Sequence, residues 1–248
     1  MKVFRTMQIM AILALIVALG AAPTGATTVT VNSNAGTTQT VPWIYSLATG
    51  DDHVGMAISG FFVDPLTGNT FQETIYWQNT GTASDGFGSA SDGGWGVTLA
   101  GDSWSNPWVL SSNKVLNGVS LYLDYVVFDA LAGNAVFDRT FGGLVGTPGS
   151  ALGKDFAFIS DNSPIWSGDI LVTYFDQVAL TGNNPVGDIY ARMKVDFVSP
   201  TGGDDPFFGG AMQYYADTDV VPIPGAIVLM GSGLLGLVAL GFRRRRNF

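Results

Sequence analysis

Between Ile189 and Val198 the chain alternates cleanly. Ala191, Met193, Val195 and Phe197 fall on one side of an extended strand, and Arg192, Lys194 and Asp196 on the other. A period of two marks a strand with one face buried and one in water. From Thr27 to Asp219 no stretch sustains a 3.6-residue apolar repeat, and strand-length apolar runs are broken by Gly, Asn, Asp and Pro. That punctuation belongs to an all-β chain. Residues 54–63 and 70–77 flank "DPLTGN" and read as a hairpin. Residues 118–130 read as one long strand or two short ones. "AVFDRTF", "KDFAFIS" and "DILVTYFDQVAL" follow at similar spacing, and "GGAMQYYAD" closes the series. Residues 80–96 and 201–205 read as loops. Roughly ten strands with turn signals between them predict an antiparallel β-sandwich of jelly-roll-like form. No break in composition divides residues 27–219, so they are expected to be one domain.

Both ends differ from this middle. Residues 1–26 read as a secretory signal peptide: Lys2 and Arg5, an unbroken apolar stretch over 9–19, then Thr24-Gly25-Ala26 as the cleavage signal. At the other end, residues 225–242 carry no charge and are followed by Arg243, Arg244, Arg245 and Arg246. A helix of that length spans roughly 27 Å, close to the thickness of a bilayer's hydrocarbon core. The arginines act as a stop-transfer signal that keeps the C-terminus in the cytoplasm. Gly231, Gly233 and Gly236 match the dinucleotide pattern G-x-G-x-x-G, but no strand precedes them and no acid follows. They read as close-packing positions on a membrane helix. Pro222 and Pro224 remove two backbone donors just outside that helix and favour an extended, exposed handle.

Val221, Pro222, Ile223 and Pro224, the glycine-rich apolar helix and the arginine tail together resemble a PEP-CTERM sorting signal. The resemblance covers residues 221–248 and departs from the family pattern at Ile223, where the eponymous glutamate would stand. It implies an exported protein of a Gram-negative bacterium, recognised by an exosortase (a membrane-embedded cysteine protease or transpeptidase). It also implies an association with exopolysaccharide and biofilm. The expected organisation is therefore a signal peptide (1–26), a β-sandwich ectodomain (27–219) and a sorting signal (220–248). A precursor tethered in the inner membrane would mature to the cell surface or the extracellular matrix.

Charge sharpens what the ectodomain can meet. All 20 acidic residues lie in residues 27–219, against five basic ones, Lys114, Arg139, Lys154, Arg192 and Lys194, a net charge of −15. Such a surface repels nucleic acid and suits divalent cations. There is no cysteine, which removes disulfides, thiolate metal sites and cysteine nucleophiles.

Three chemistries remain to be weighed. The one histidine, His53 in "GDDHVGM", would have to serve as base in a Ser-His-Asp hydrolase, but no G-x-S-x-G elbow is present. It reads instead as a solvated turn residue. Glycosidase chemistry needs two opposed carboxylates, and only Glu73 is a glutamate. No cofactor is expected. Calcium is the one candidate ion, with Asp85 and Asp92 of the glycine-rich 80–96 loop as its ligands and Asp51–Asp52 and Asp204–Asp205 as further pairs. None has EF-hand spacing, and aspartate beside glycine is also ordinary turn chemistry. Trp95, Trp104 and Trp108 could stack on sugar rings or fill the core. "VTYFDQVALTG" resembles the terminal-strand phrase of extracellular jelly rolls, carbohydrate-binding ones among them. The leading expectation is a structural or adhesive surface protein without enzymatic activity. A carbohydrate-binding module and, behind it, a secreted hydrolase are the alternatives.

Overall fold

The computed structural model describes residues 27–41, 44, 48–81, 86–140, 152–163, 166, 168–181, 188–201 and 203–221. The expected signal peptide and the part of the expected sorting signal beyond Val221 lie outside them. Among the described residues there is no α-helix, and no helix is long and apolar enough to cross a membrane.

Seventeen strands account for most of the described chain. They are β1 (Val29–Asn34), β2 (Gln39–Val41), β3 (Ala57–Val63), β4 (Thr70–Tyr76), β5 (Gln78–Asn79) and β6 (Phe87–Ser91). Next come β7 (Trp95–Ala100), β8 (Trp108–Ser112), β9 (Val115–Leu116), β10 (Val119–Ser120), β11 (Tyr122–Asp129) and β12 (Ala135–Asp138). The last are β13 (Ala157–Asp161), β14 (Asp169–Leu180), β15 (Ile189–Val198), β16 (Gly210–Tyr215) and β17 (Thr218–Val220).

The larger sheet runs β1-β14-β15-β11-β3-β4, with β12 joining β15 to β17 and β2 continuing along β14. The smaller runs β13-β16-β8-β7-β6-β5. The predicted hairpin is β3–β4, paired from Ala57↔Tyr76 to Val63↔Thr70. The alternation that opened the sequence reading is β15, whose Ala191, Met193, Val195 and Phe197 are buried while Arg192, Lys194 and Asp196 are half-buried.

Inward side chains of both sheets meet in one apolar cluster. Phe62, Val126, Phe128, Val195 and Phe197 come from the larger sheet, and Trp95, Leu99, Trp108, Leu110 and Tyr214 from the smaller. The two sheets therefore face one another as a sandwich, and each fully buried large side chain stabilises it by about 1.5–3 kcal/mol. A second, smaller cluster (Val41, Val136, Val178, Ile189, Ala191 and Val221) lies apart, beside β12.

Several expectations need correction. The pairing is mostly antiparallel, but β1 and β2 both run parallel to β14. The switch between them falls at Asp176, which has a positive φ of 59° and interrupts the ladder between Phe175 and Gln177. Its carboxylate accepts from Thr37 N–H and pairs with Arg192, which pins this residue in place. Residues 80–96 are not one loop: β6 and the start of β7 lie within them, where small residues keep the apolar signal low. Nor is "GGAMQYYAD" last. β17 follows it, runs across the boundary expected after Asp219, and is too short to show a period.

Candidate functional site

At one end of the sandwich a polar seam joins β12, β17, the 3₁₀ turn Gly50–His53 and the turn after β7. Thr49 opens the 3₁₀ turn, and its N–H donates to the Asp52 carboxylate at 2.8 Å. Asp51 and Asp52 thus belong to a helix start, where acidic side chains are favoured. The turn delivers His53 inward, not to solvent as the sequence suggested. His53 is fully buried, edge-on to Trp108 at 5.1 Å and tilted against Trp77 at 5.6 Å.

The tautomer of His53 follows from its partners. Thr49 O can only accept, so Nδ1 carries the proton and donates to it at 2.8 Å. Nε2 then accepts from Thr218 Oγ1–H at 2.8 Å. Burial pulls the pKa down from 6.5 to about 4, so the ring is neutral. Both ring nitrogens are thus bonded, to Thr49 O and to Thr218 Oγ1. The nearby Ser103 hydroxyl lies 3.3 Å from Asp217 Oδ1 and 3.1 Å from Thr218 O, and it accepts from Thr218 N–H at 3.1 Å.

Beside this lies a cluster of buried carboxyls. All four residues of β12 are buried, because the strand is paired on both edges and covered on both faces. Ala135 and Phe137 enter the main core, and Val136 enters the second. Alternation then places Asp138 on the Val136 face. On β17 the register sets Asp219 opposite Val136, and Asp138 N–H donates to Asp217 O at 3.1 Å. Asp138, Asp217 and Asp219 therefore share one face of a two-strand patch. Asp188 comes in from just before β15, its carbonyl accepting from Arg139 N–H at 2.8 Å.

Asp138 and Asp219 are each 1% exposed. Burial, then the charges of Asp219, Asp217 and Asp188, raise the Asp138 pKa from 3.8 to about 9. Asp217 rises to about 7, first by burial and then through Asp219. Asp188 is also raised by burial. Like charges this close cannot all ionise, and at least one carboxyl is held as the neutral acid at pH 7.

The cations nearby are engaged elsewhere. Lys154 Nζ sits 3.6 Å over the Tyr215 ring and donates to Trp104 O at 3.1 Å. Arg139 grips Asp155 with two N–H groups, at 2.7 and 3.2 Å, and lies 4.8 Å over Tyr174. No three acidic or histidine side chains among the described residues converge as a metal site.

The other expected site residues scatter. Trp95 (3% exposed) lies against Phe62 and donates through Nε1 to Glu73 at 2.7 Å. It also lies so close over Gly60 that a Cβ there would meet its ring at 2.9 Å. Trp108 (1% exposed) donates to Ala216 O at 2.9 Å. Both rings fill the core, one of the two roles weighed for them, and offer no face to a sugar; Trp104 stays half-exposed. The Asp92 carboxylate is taken by Lys114 at 2.6 Å, a cation where a calcium ligand was expected. Asp85 lies outside the described residues, as do Pro222, Ile223, Pro224 and Arg243 to Arg246. Val221 is the last described residue, its N–H donating to Asn134 O at 2.6 Å.

Sequence reasoning did not single out Asp138, Asp188, Asp217 or Asp219. The one signal available was the spacing Asp217-Thr218-Asp219, which on any strand puts two carboxylates on one face. No protein-family model matches this chain, and neither a curated protein nor a solved structure is detectably similar to it.

Proposed function

We propose that this is an exported protein, sorted by an exosortase through residues 220–248, with a structural or adhesive role at the cell surface or in an exopolysaccharide matrix. The reading rests first on the order of elements at the C-terminus: Val221-Pro222-Ile223-Pro224, an uncharged stretch, then Arg243 to Arg246. One structural observation supports it. The last strand, β17, ends where that motif begins, with Val221 hydrogen-bonded to the sandwich edge. A folded unit thus abuts the handle without a linker. On this reading the arginines halt transfer, and the Pro-x-Pro segment is presented for cleavage just outside the membrane. The ectodomain is a jelly-roll-like sandwich, supported by the crossings of the chain from β8 to β11 and from β15 to β16 between the two sheets. It acts as a surface or matrix component and carries out no chemistry. Intact-mass measurement of the mature protein from its native host tests this. The expected product lacks the arginine tail, and a mature chain still ending at Phe248 contradicts the sorting reading.

A further inference from the structure

We propose that β12 and β17 form a proton-held clasp on the last strand of the sandwich: a neutral Asp138 donates to Asp219, and loss of that proton frees β17 and the chain that follows it. Asp138 and Asp219 lie on one face of the β12–β17 pair, diagonal to each other, and each is 1% exposed. Two carboxylates can bond only if one of them carries a proton. Among the described residues no other donor reaches either oxygen of Asp138, which is 1% exposed.

Among the described residues the surroundings offer no substitute for the proton. Asp219 lies in β17, Asp217 just before it and Asp188 just before β15; all three are acidic. On the far side of Thr218, His53 is neutral and already bonded. Val41, Ile44 and Ala48, from the stretch preceding the 3₁₀ turn, bring no charge. Lys154 bears on Asp217, from its position over Tyr215. Gly153 closes the remaining side so tightly that a Cβ there would come within 2.6 Å of Asp138 Cγ. An ionised Asp138 would be an uncompensated buried charge facing like charges, and separating the two strands relieves it.

β17 is the element that can yield. It is three residues long and pairs with β12 alone, through Ala135↔Val220, Val136↔Asp219 and Phe137↔Thr218. Thr218 is held further by Ala48 N–H, by two bonds with Ser103 and by His53. The clasp is independent of the sorting reading and stands whether or not the tail is cleaved.

Hydrogen exchange on the full-length chain, divided by the intrinsic rate at each pH, tests the clasp. Peptides covering residues 217–221 are compared with peptides from β7 and β8 between pH 6.5 and 9. With one linked proton the opening of β17 increases by up to about tenfold per pH unit, while β7 and β8 stay unchanged. In Asp138→Asn, a neutral isostere, the pH dependence disappears; Asp219→Asn flattens it as well. Equal pH dependence in wild type and Asp138→Asn overturns the proposal. So does loss of protection in all peptides together. Recovery of β17 protection at high pH on adding calcium would assign the neutralising charge to a cation and would also overturn it.

Discussion

Asp138 faces Asp219 diagonally across the β12–β17 pair, two residues along β12 from Val136, the direct partner of Asp219. Both are buried, and Asp138 has no other donor among the described residues. The sign of the pH dependence follows. An Asp whose pKa is 3.8 in the unfolded chain and about 9 in the folded one keeps a proton that the unfolded chain has released. Stability therefore falls as pH rises between those values. His53, lowered from 6.5 to about 4, works in the opposite direction over its own window. Above pH 6.5 the carboxyls act alone. Urea midpoints should decline steadily from pH 6.5 to 9, and Asp138→Asn should be more stable than wild type at the upper end.

His53 ties the 3₁₀ turn to β17 while filling space between two tryptophans. Replacing it with alanine removes a buried ring and strands the Thr218 hydroxyl. The expected cost is about 3–5 kcal/mol, read from urea unfolding at pH 7. A loss below about 1 kcal/mol would place the ring in solvent, where the sequence alone had put it.

The three neighbouring tryptophans should separate by burial. Trp95→Ala and Trp108→Ala each remove a core side chain and its N–H bond, at about 3–5 kcal/mol. Trp104→Ala should cost about 1 kcal/mol, since its ring is half-exposed against Lys154. Three equal, small losses would return all three rings to the surface.

The acid limb of stability should depend on Asp155. Burial alone would raise its pKa, but the bonds from Arg139 and Thr140 outweigh burial and hold it below 3.8. Its contribution is present at neutral pH and is lost as pH falls through the folded value. Asp155→Asn should lower stability at pH 7 by about 1–3 kcal/mol and flatten the decline below pH 4.

The fold was legible where one face of a strand is wet. β4 and β15 show their period because polar side chains occupy most outer positions, whereas β3, with Phe61 and Val63 facing outward, was legible as an apolar run ended by turn residues. β12 shows none: all four of its residues are buried, and its aspartate reads like any loop-edge acid. β6 and β7 were hidden by glycine and serine, which pack in the sheet without adding hydropathy. The carboxyl cluster was illegible for a topological reason. Asp138, Asp188 and Asp217–Asp219 are remote in sequence and meet only through the β12–β15 and β12–β17 registers. His53 failed for another reason: a histidine between two aspartates and a glycine looks solvated, while the tryptophans that enclose it lie in β8 and beside β4.

The most direct measurement is the protonation state of Asp138 itself. A difference infrared spectrum at pH 7, wild type minus Asp138→Asn, should contain the carbonyl stretch of a protonated carboxyl group, lost on raising the pH past about 9. A difference spectrum with only carboxylate bands at pH 7 would mean that Asp138 is ionised in the folded protein, and the shared proton that closes β17 onto β12 would not exist.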